Sequence, residues 1–123
     1  MKYIIFFTCI LFLQSIASKT LAYPGEIVNS IKTPGQFPTG LTFDGNNLWV
    51  ADRMDDKLYA IDPKSGLIEK EIPSPAYWPA GLAYDGKYLW NIDLKGGIPL
   101  AENYRALVYK IDPKTGRILH TVY

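Results

Sequence analysis

"GLTFDGNNLWVAD" (Gly40–Asp52) and "GLAYDGKYLWNID" (Gly81–Asp93) stand 41 residues apart and are nearly the same phrase. Within the first, Gly40-Leu41-Thr42-Phe43 alternates apolar and polar residues and stops at Asp44-Gly45, a strong hairpin signal. Leu48-Trp49-Val50-Ala51 then reads as a second strand that ends at Asp52. A polar run, Arg53 to Lys57, predicts a turn, and Leu58 to Ile61 a third strand. Asp62-Pro63-Lys64-Ser65-Gly66 combines a capping carboxylate, a fixed φ and a glycine suited to positive φ. Leu67 to Ile72 follows as a fourth strand whose charges suit an exposed edge. The phrase therefore opens an antiparallel meander of four strands.

Working outward, the second copy keeps the same order. Pro79, Gly81, Leu82, Asp85, Gly86, Leu89, Trp90 and Asp93 match at an offset of 41, whereas Tyr109, Ile111, Asp112, Pro113, Lys114, Gly116 and Ile118 match at 50. The difference of nine residues is an insertion between Asp93 and Val108. A third, partial copy precedes both: "GEIVNSIKTPGQFPTG" from Gly25 aligns with "GLIEKEIPSPAYWPAG" from Gly66, again at 41. The expected fold class is all-β, with propeller-type blades at residues 38–72 and 79–122 and a lone outer strand at 25–31.

The beginning of the chain has a different character. Lys2 precedes the uncharged run "IIFFTCILFL" (Ile4–Leu13), and small residues follow at peptidase spacing up to Ala17 and Ala22. Residues 1–22 thus read as a secretory signal, cleaved after Ala22 or alternatively Ala17, and the expected location is secreted or periplasmic. The apolar run is shorter than the roughly 20 residues of a spanning helix, so no membrane contact is expected after cleavage. Cys9, the only cysteine, lies inside that run, and the remaining chain must hold its fold without disulfides. The net charge of +1 includes Lys2 and Lys19, which leaves a nearly neutral mature chain without a basic stripe for nucleic acid.

The two phrases, each followed by Tyr-x-Ile-Asp-Pro-Lys-(Ser/Thr)-Gly-x-Ile, resemble the blades of secreted bacterial β-propellers. The NHL-repeat, gluconolactonase-like and streptogramin-lyase-like groups share this pattern, and the resemblance covers Gly25 to Tyr123. Propellers close with about 4–8 blades, so two blades and one strand imply an incomplete ring, or a ring completed by other copies of the chain. The lone first strand speaks against the second arrangement, since it adds a ninth strand to each pair of blades.

Antiparallel order places the linkers into the inner strands (Lys32–Thr39, Pro73–Ala80) on one face with the turns between second and third strands. The resemblance implies that ligands bind at this face. Residues that recur in both copies serve the blade, and those found in only one are freer to serve a ligand. Trp49 and Trp90 therefore read as packing between blades, and Asp44, Asp85, Asp62 and Asp112 as turn chemistry. The candidate ligand-binding residues are Asp52, Arg53, Tyr77, Trp78, Asp93, Lys95, Glu102, Asn103 and Tyr104. Asp52 and Asp93 recur and also read as turn caps; the resemblance implies Ca²⁺-binding carboxylates nearby, but no complete ligand set is assigned. Tyr77-Trp78 replaces Gln36-Phe37 and offers flat apolar surface to a sugar or similar ligand. His120, the only histidine, has no partner for acid–base work, and no catalytic residues are assigned.

The reading is a secreted propeller module, the N-terminal part of a longer propeller, that binds a small molecule, sugar or protein through its loop face. The partners of its blades are the missing blades or further copies of itself. Two alternatives stand beside it: the N-terminal part of a lactonase- or lyase-type propeller enzyme, and a two-blade lectin that oligomerises.

Overall fold

A computed structural model describes residues 23–95 and 105–122. All eight strands fall into two sheets of four, each in simple sequential order. The first sheet is β1 (Pro38–Phe43), β2 (Leu48–Asp52), β3 (Lys57–Ile61) and β4 (Ile68–Pro73); the second is β5 (Pro79–Tyr84), β6 (Leu89–Lys95), β7 (Arg105–Ile111) and β8 (Ile118–Val122). Every pairing is antiparallel. The two expected meanders are therefore present, within a residue or two of their sequence boundaries.

Register repeats with the sequence. Trp49 faces Thr42 and Ala60, and Trp90 faces Ala83 and Lys110. Irregularities also repeat, between Pro38 and Gly40 and between Pro79 and Gly81. Part of the insertion is absorbed by lengthening one hairpin, because the β6–β7 ladder continues through Leu94–Ala106 to Lys95–Arg105. The rest of it, with the signal-like residues 1–22, lies outside the described residues.

The turns explain why Asp-Gly and Trp occur together. Asp44 Oδ1 accepts the N–H groups of Asn46 and Asn47 at 2.8 and 2.7 Å, while Oδ2 accepts Trp49 Nε1–H at 2.7 Å. Asp85 repeats this with Lys87, Tyr88 and Trp90 at 2.9, 2.7 and 2.8 Å. Gly45 and Gly86 take φ of 97° and 94°, a region that costs a side chain but not glycine. One carboxylate thus closes the turn and fixes the indole five residues on. Burial pushes the Asp44 carboxyl up, but the donors of Asn47, Trp49 and Asn46 outweigh it and hold the group below its ordinary value. The Trp90 indole, with the Tyr88 N–H, lowers Asp85 likewise.

The main core lies between the sheets. Trp49, Ala51, Leu58 and Ala60 of the first sheet, with Ile72 from β4, meet Leu89, Leu107, Tyr109 and Ile111 of the second. Leu58 and Leu89 are wholly buried, each contributing about 1.5–3 kcal/mol by leaving water. β1 and β5 run against each other at the inner edge, where Gly40 permits backbone contact. A Cβ on Gly40 would stand 2.8 Å from Leu82 N and 2.9 Å from Gly81 Cα. Thr39 Oγ1–H donates to Pro79 O beside it. On the other side of the pair, Lys70 Nζ donates to the carbonyls of Pro113 and Lys114 at 3.2 and 2.6 Å.

Residues 25–31 differ from the expected strand. Pro24-Gly25 is a turn closed by Glu26 N–H on Tyr23 O at 2.9 Å, and no ladder follows before Pro38. Each outer strand, β4 or β8, is paired to the third strand of its own unit, and the described residues hold no such strand for 25–31. The repeat nonetheless survives as packing at Ile31. Its Cγ2 lies 3.0 Å from where a Cβ on Gly66 would stand, as the Cγ2 of Ile72 lies 3.2 Å from that point at Gly116. Ile31 also packs on the smaller core cluster of Val50, Tyr59 and Ile61.

The two tryptophans have separated fates. Trp49 is 2% exposed between the sheets, whereas Trp90 is half-buried on the far side of the second sheet. There it shares the surface with Ile92, 45% exposed, and Lys110 Nζ sits 5.1 Å from its ring centre and 4.2 Å from that of Tyr88.

Candidate functional site

Two buried carboxylates shape the loop face. Asp52, at the end of β2, accepts Phe37 N–H through Oδ2 at 2.7 Å, and Met54 and Asp55 N–H through Oδ1 at 2.9 and 3.1 Å. Asp93, at the same place in β6, accepts Ser74 Oγ–H and Ala76 N–H through Oδ2 at 2.5 and 3.0 Å, and Trp78 N–H through Oδ1 at 2.8 Å. Both are fully buried. Each therefore ties the linker entering its own sheet to the end of the second strand. Gly35 lies so close to Asp52 that any Cβ there would run into the carboxylate. As bonded, each carboxylate accepts three N–H or O–H donors of its own loops, the turn-capping role expected of it. Among the described residues, no group of three or more His, Cys, Asp or Glu is placed to hold a metal ion.

Backbone bonds complete the clamp: Arg53 N–H to Phe37 O at 3.2 Å, Leu94 N–H to Trp78 O at 3.1 Å, and Ser74 N–H to Asp56 O at 2.8 Å. The result brings Phe37 and Trp78, from successive linkers, close to Arg53. The guanidinium carbon lies 4.9 Å from the Phe37 ring centre and 4.6 Å from that of Trp78. Aromatic faces at this distance attract a guanidinium through the ring quadrupole.

A cavity of about 400 Å³ opens beside this cluster, lined by Asp56, Ser74, Ala76, Tyr77 and Tyr109 with Pro73 and Pro75. Its elements are the β2–β3 turn, the β4–β5 linker and strand β7. Tyr77 is 73% exposed, and Tyr109 is buried behind the wall. Asp56 holds φ at 51°, the only positive φ on a non-glycine among the described residues. Its Oδ1 is sealed from solvent and has no hydrogen-bond partner among the described residues. Burial, and then the charges of Asp93 and Asp55, push its carboxyl above the ordinary value. Asp55, by contrast, is engaged: Tyr59 Oη–H donates to its Oδ2 at 2.8 Å, and burial with this bond pushes the phenol up to about 12.

The structure thus brings Arg53, Tyr77 and Trp78 together, with Asp52 and Asp93 beneath them as supports. Lys95 ends β6, while Glu102, Asn103 and Tyr104 lie outside the described residues, so the site is built without them. Asp56, Ser74, Phe37 and Tyr109 were not singled out by sequence. Phe37 was open to inference as the repeat equivalent of Trp78. Asp56 was hidden in a polar turn whose backbone twist no residue type announces. His120 is exposed on β8, opposite Lys110. No helix among the described residues is long and apolar enough to cross a membrane. No protein-family model matches the chain, and no curated protein matches it either.

Proposed function

We propose that this chain is a β-propeller module of a secreted protein, and that it binds a small ligand or partner through the face carrying its linkers and β2–β3 turn. Two four-stranded meanders packed face to face, with inner strands touching at Gly40, support the propeller reading. The binding reading is carried by one observation: on the face where successive units bring Phe37 and Trp78 close to Arg53, the adjacent residue of the linker, Tyr77, helps to line a cavity of about 400 Å³. Tyr77 and Arg53 are not demanded by the repeat, since the corresponding positions hold Gln36 and Leu94. Cavities of about 300–1,000 Å³ with apolar walls and a few polar groups are the usual form of small-molecule sites.

The test is a thermal-shift screen of the full chain with neutral sugars, carboxylates and amines, repeated on Tyr77→Ala and Trp78→Ala. Binding at this face requires at least one compound whose stabilisation is lost in both variants. A response that survives both substitutions would move the site elsewhere and end the proposal.

A further inference from the structure

We infer that the cavity bounded by Asp56, Ser74, Ala76, Tyr77 and Tyr109 binds a small organic cation, a primary or quaternary ammonium. The inference rests on the loop face being the binding face and names the ligand class for it. Three features of the cavity converge on positive charge.

First, among the described residues the lining holds a carboxylate and two tyrosines but no lysine, arginine or histidine. The cations of the same turn are engaged elsewhere: Arg53 lies against the Phe37 and Trp78 rings, and Lys57 pairs with Glu71 at 3.0 Å. Second, Asp56 makes no side-chain hydrogen bond or ion pair among the described residues, although its Oδ1 is sealed from water. The Asp56 carboxylate therefore stands on the cavity wall without a counter-charge among the described residues. Third, Asp56 stands within the field of Asp93 and Asp55, so the pocket is negative beyond its own single charge. A cationic ammonium answers the unpaired carboxylate and the surplus charge by Coulomb attraction, whether or not it carries an N–H. A neutral polyol supplies no charge, and an anion is repelled.

The rings supply the remaining recognition. Tyr77 is largely exposed on the cavity lining, and aromatic faces attract ammonium groups. The backbone geometry is consistent with a functional position, since Asp56 keeps a left-handed φ where glycine would relieve the strain.

The experiment is an NMR titration of the full chain with choline, with its neutral carbon isostere 3,3-dimethylbutan-1-ol, and with glucose. Choline is expected to shift the signals of Asp56, Ser74 and Tyr77, with the isostere weaker by about tenfold or more. Asp56→Asn keeps size and tolerates the left-handed backbone, so it folds; it should weaken choline by about tenfold or more. Tyr77→Ala should weaken it by about two- to fivefold. Equal binding of choline and its isostere, or choline binding undiminished in Asp56→Asn, overturns the cation inference. Glucose shifting Tyr77 where choline does not overturns it too, yet leaves the loop face standing as a binding face. Silence of Asp56, Ser74 and Tyr77 towards all three probes overturns the cation inference, while the loop face is then judged by the wider screen.

Discussion

Gly40 and Gly81 occupy the same place in the repeated phrase, yet the structure assigns them opposite sensitivities to a methyl group. At Gly40 the added Cβ would stand 2.8–2.9 Å from Leu82 N, Gly81 C and Gly81 Cα. All three are backbone atoms of β5, so no side-chain rotation relieves the contact. β1 and β5 must separate, loosening the core that holds Trp49 and Leu89. Overpacking of this kind costs about 1–3 kcal/mol, and the rigid partner puts Gly40→Ala towards the upper end. At Gly81 a Cβ meets nothing within 4 Å, and its φ is not in the left-handed region. Gly81→Ala therefore loses no packing and gains about 0.4–1 kcal/mol from a less flexible unfolded chain. Urea unfolding of both variants, followed by tryptophan fluorescence, gives the comparison through midpoint and slope. Midpoints that move together, or a Gly40→Ala midpoint at or above that of the parent, would refute the close approach of the two inner strands.

Other outcomes follow from the same contacts. Asp93→Ala strips acceptors from Ser74 Oγ, Ala76 N and Trp78 N, and should cost about 3 kcal/mol or more by urea unfolding, with Trp78 fluorescence moving to the red. Trp49→Phe should destabilise more than Trp90→Phe: both free an Asp oxygen, but only Trp49 leaves a gap between the sheets, and thermal melts of the pair check the order. Asp44, Asp62, Asp85 and Asp112 all titrate below their ordinary 3.8 in the folded chain, so the unfolded state takes up protons first as pH falls. Their contribution is complete above the unfolded value and is lost as pH drops through the lower folded values. Asp56, raised instead, opposes them singly. The urea midpoint should therefore decline as pH is taken from 5 to 2.5, and a midpoint that rises over this range would contradict the turn bonds.

What the sequence made legible was whatever the two copies had in common. Asp44 and Asp85 mark their turns because Asx chemistry and the following glycine act within a few residues, and β-strand alternation is likewise local. Trp49 and Trp90 were recognisable as packing residues, though not that one would be enclosed and the other half-exposed, since that depends on which sheet has a neighbour. The strand expected at 25–31 shows the limit: an apolar-polar pattern offers a strand, but a ladder partner must exist to form one. Of the site, Arg53, Tyr77 and Trp78 stood out by breaking the repeat. Asp56 did not, because its distinction is an unpaired oxygen and a left-handed backbone, both created by the fold around it.

The Asp44 and Asp85 carboxylates reach no further than five residues, and Asp62 and Asp112 close their own turns over a similar span. Between the sheets, the side-chain hydrogen bonds of Thr39 and Lys70 both end on backbone carbonyls. A carbonyl is offered by any sequence, and the remaining contact is apolar surface with a glycine-sized gap. Each unit is in this sense a portable part: its specific chemistry travels with it, and its joint asks the neighbour only for shape. Copying such a unit in register needs no matching change next door, which makes the joint, rather than the hairpins, the place where drift between copies such as Ala60 and Lys110 can accumulate.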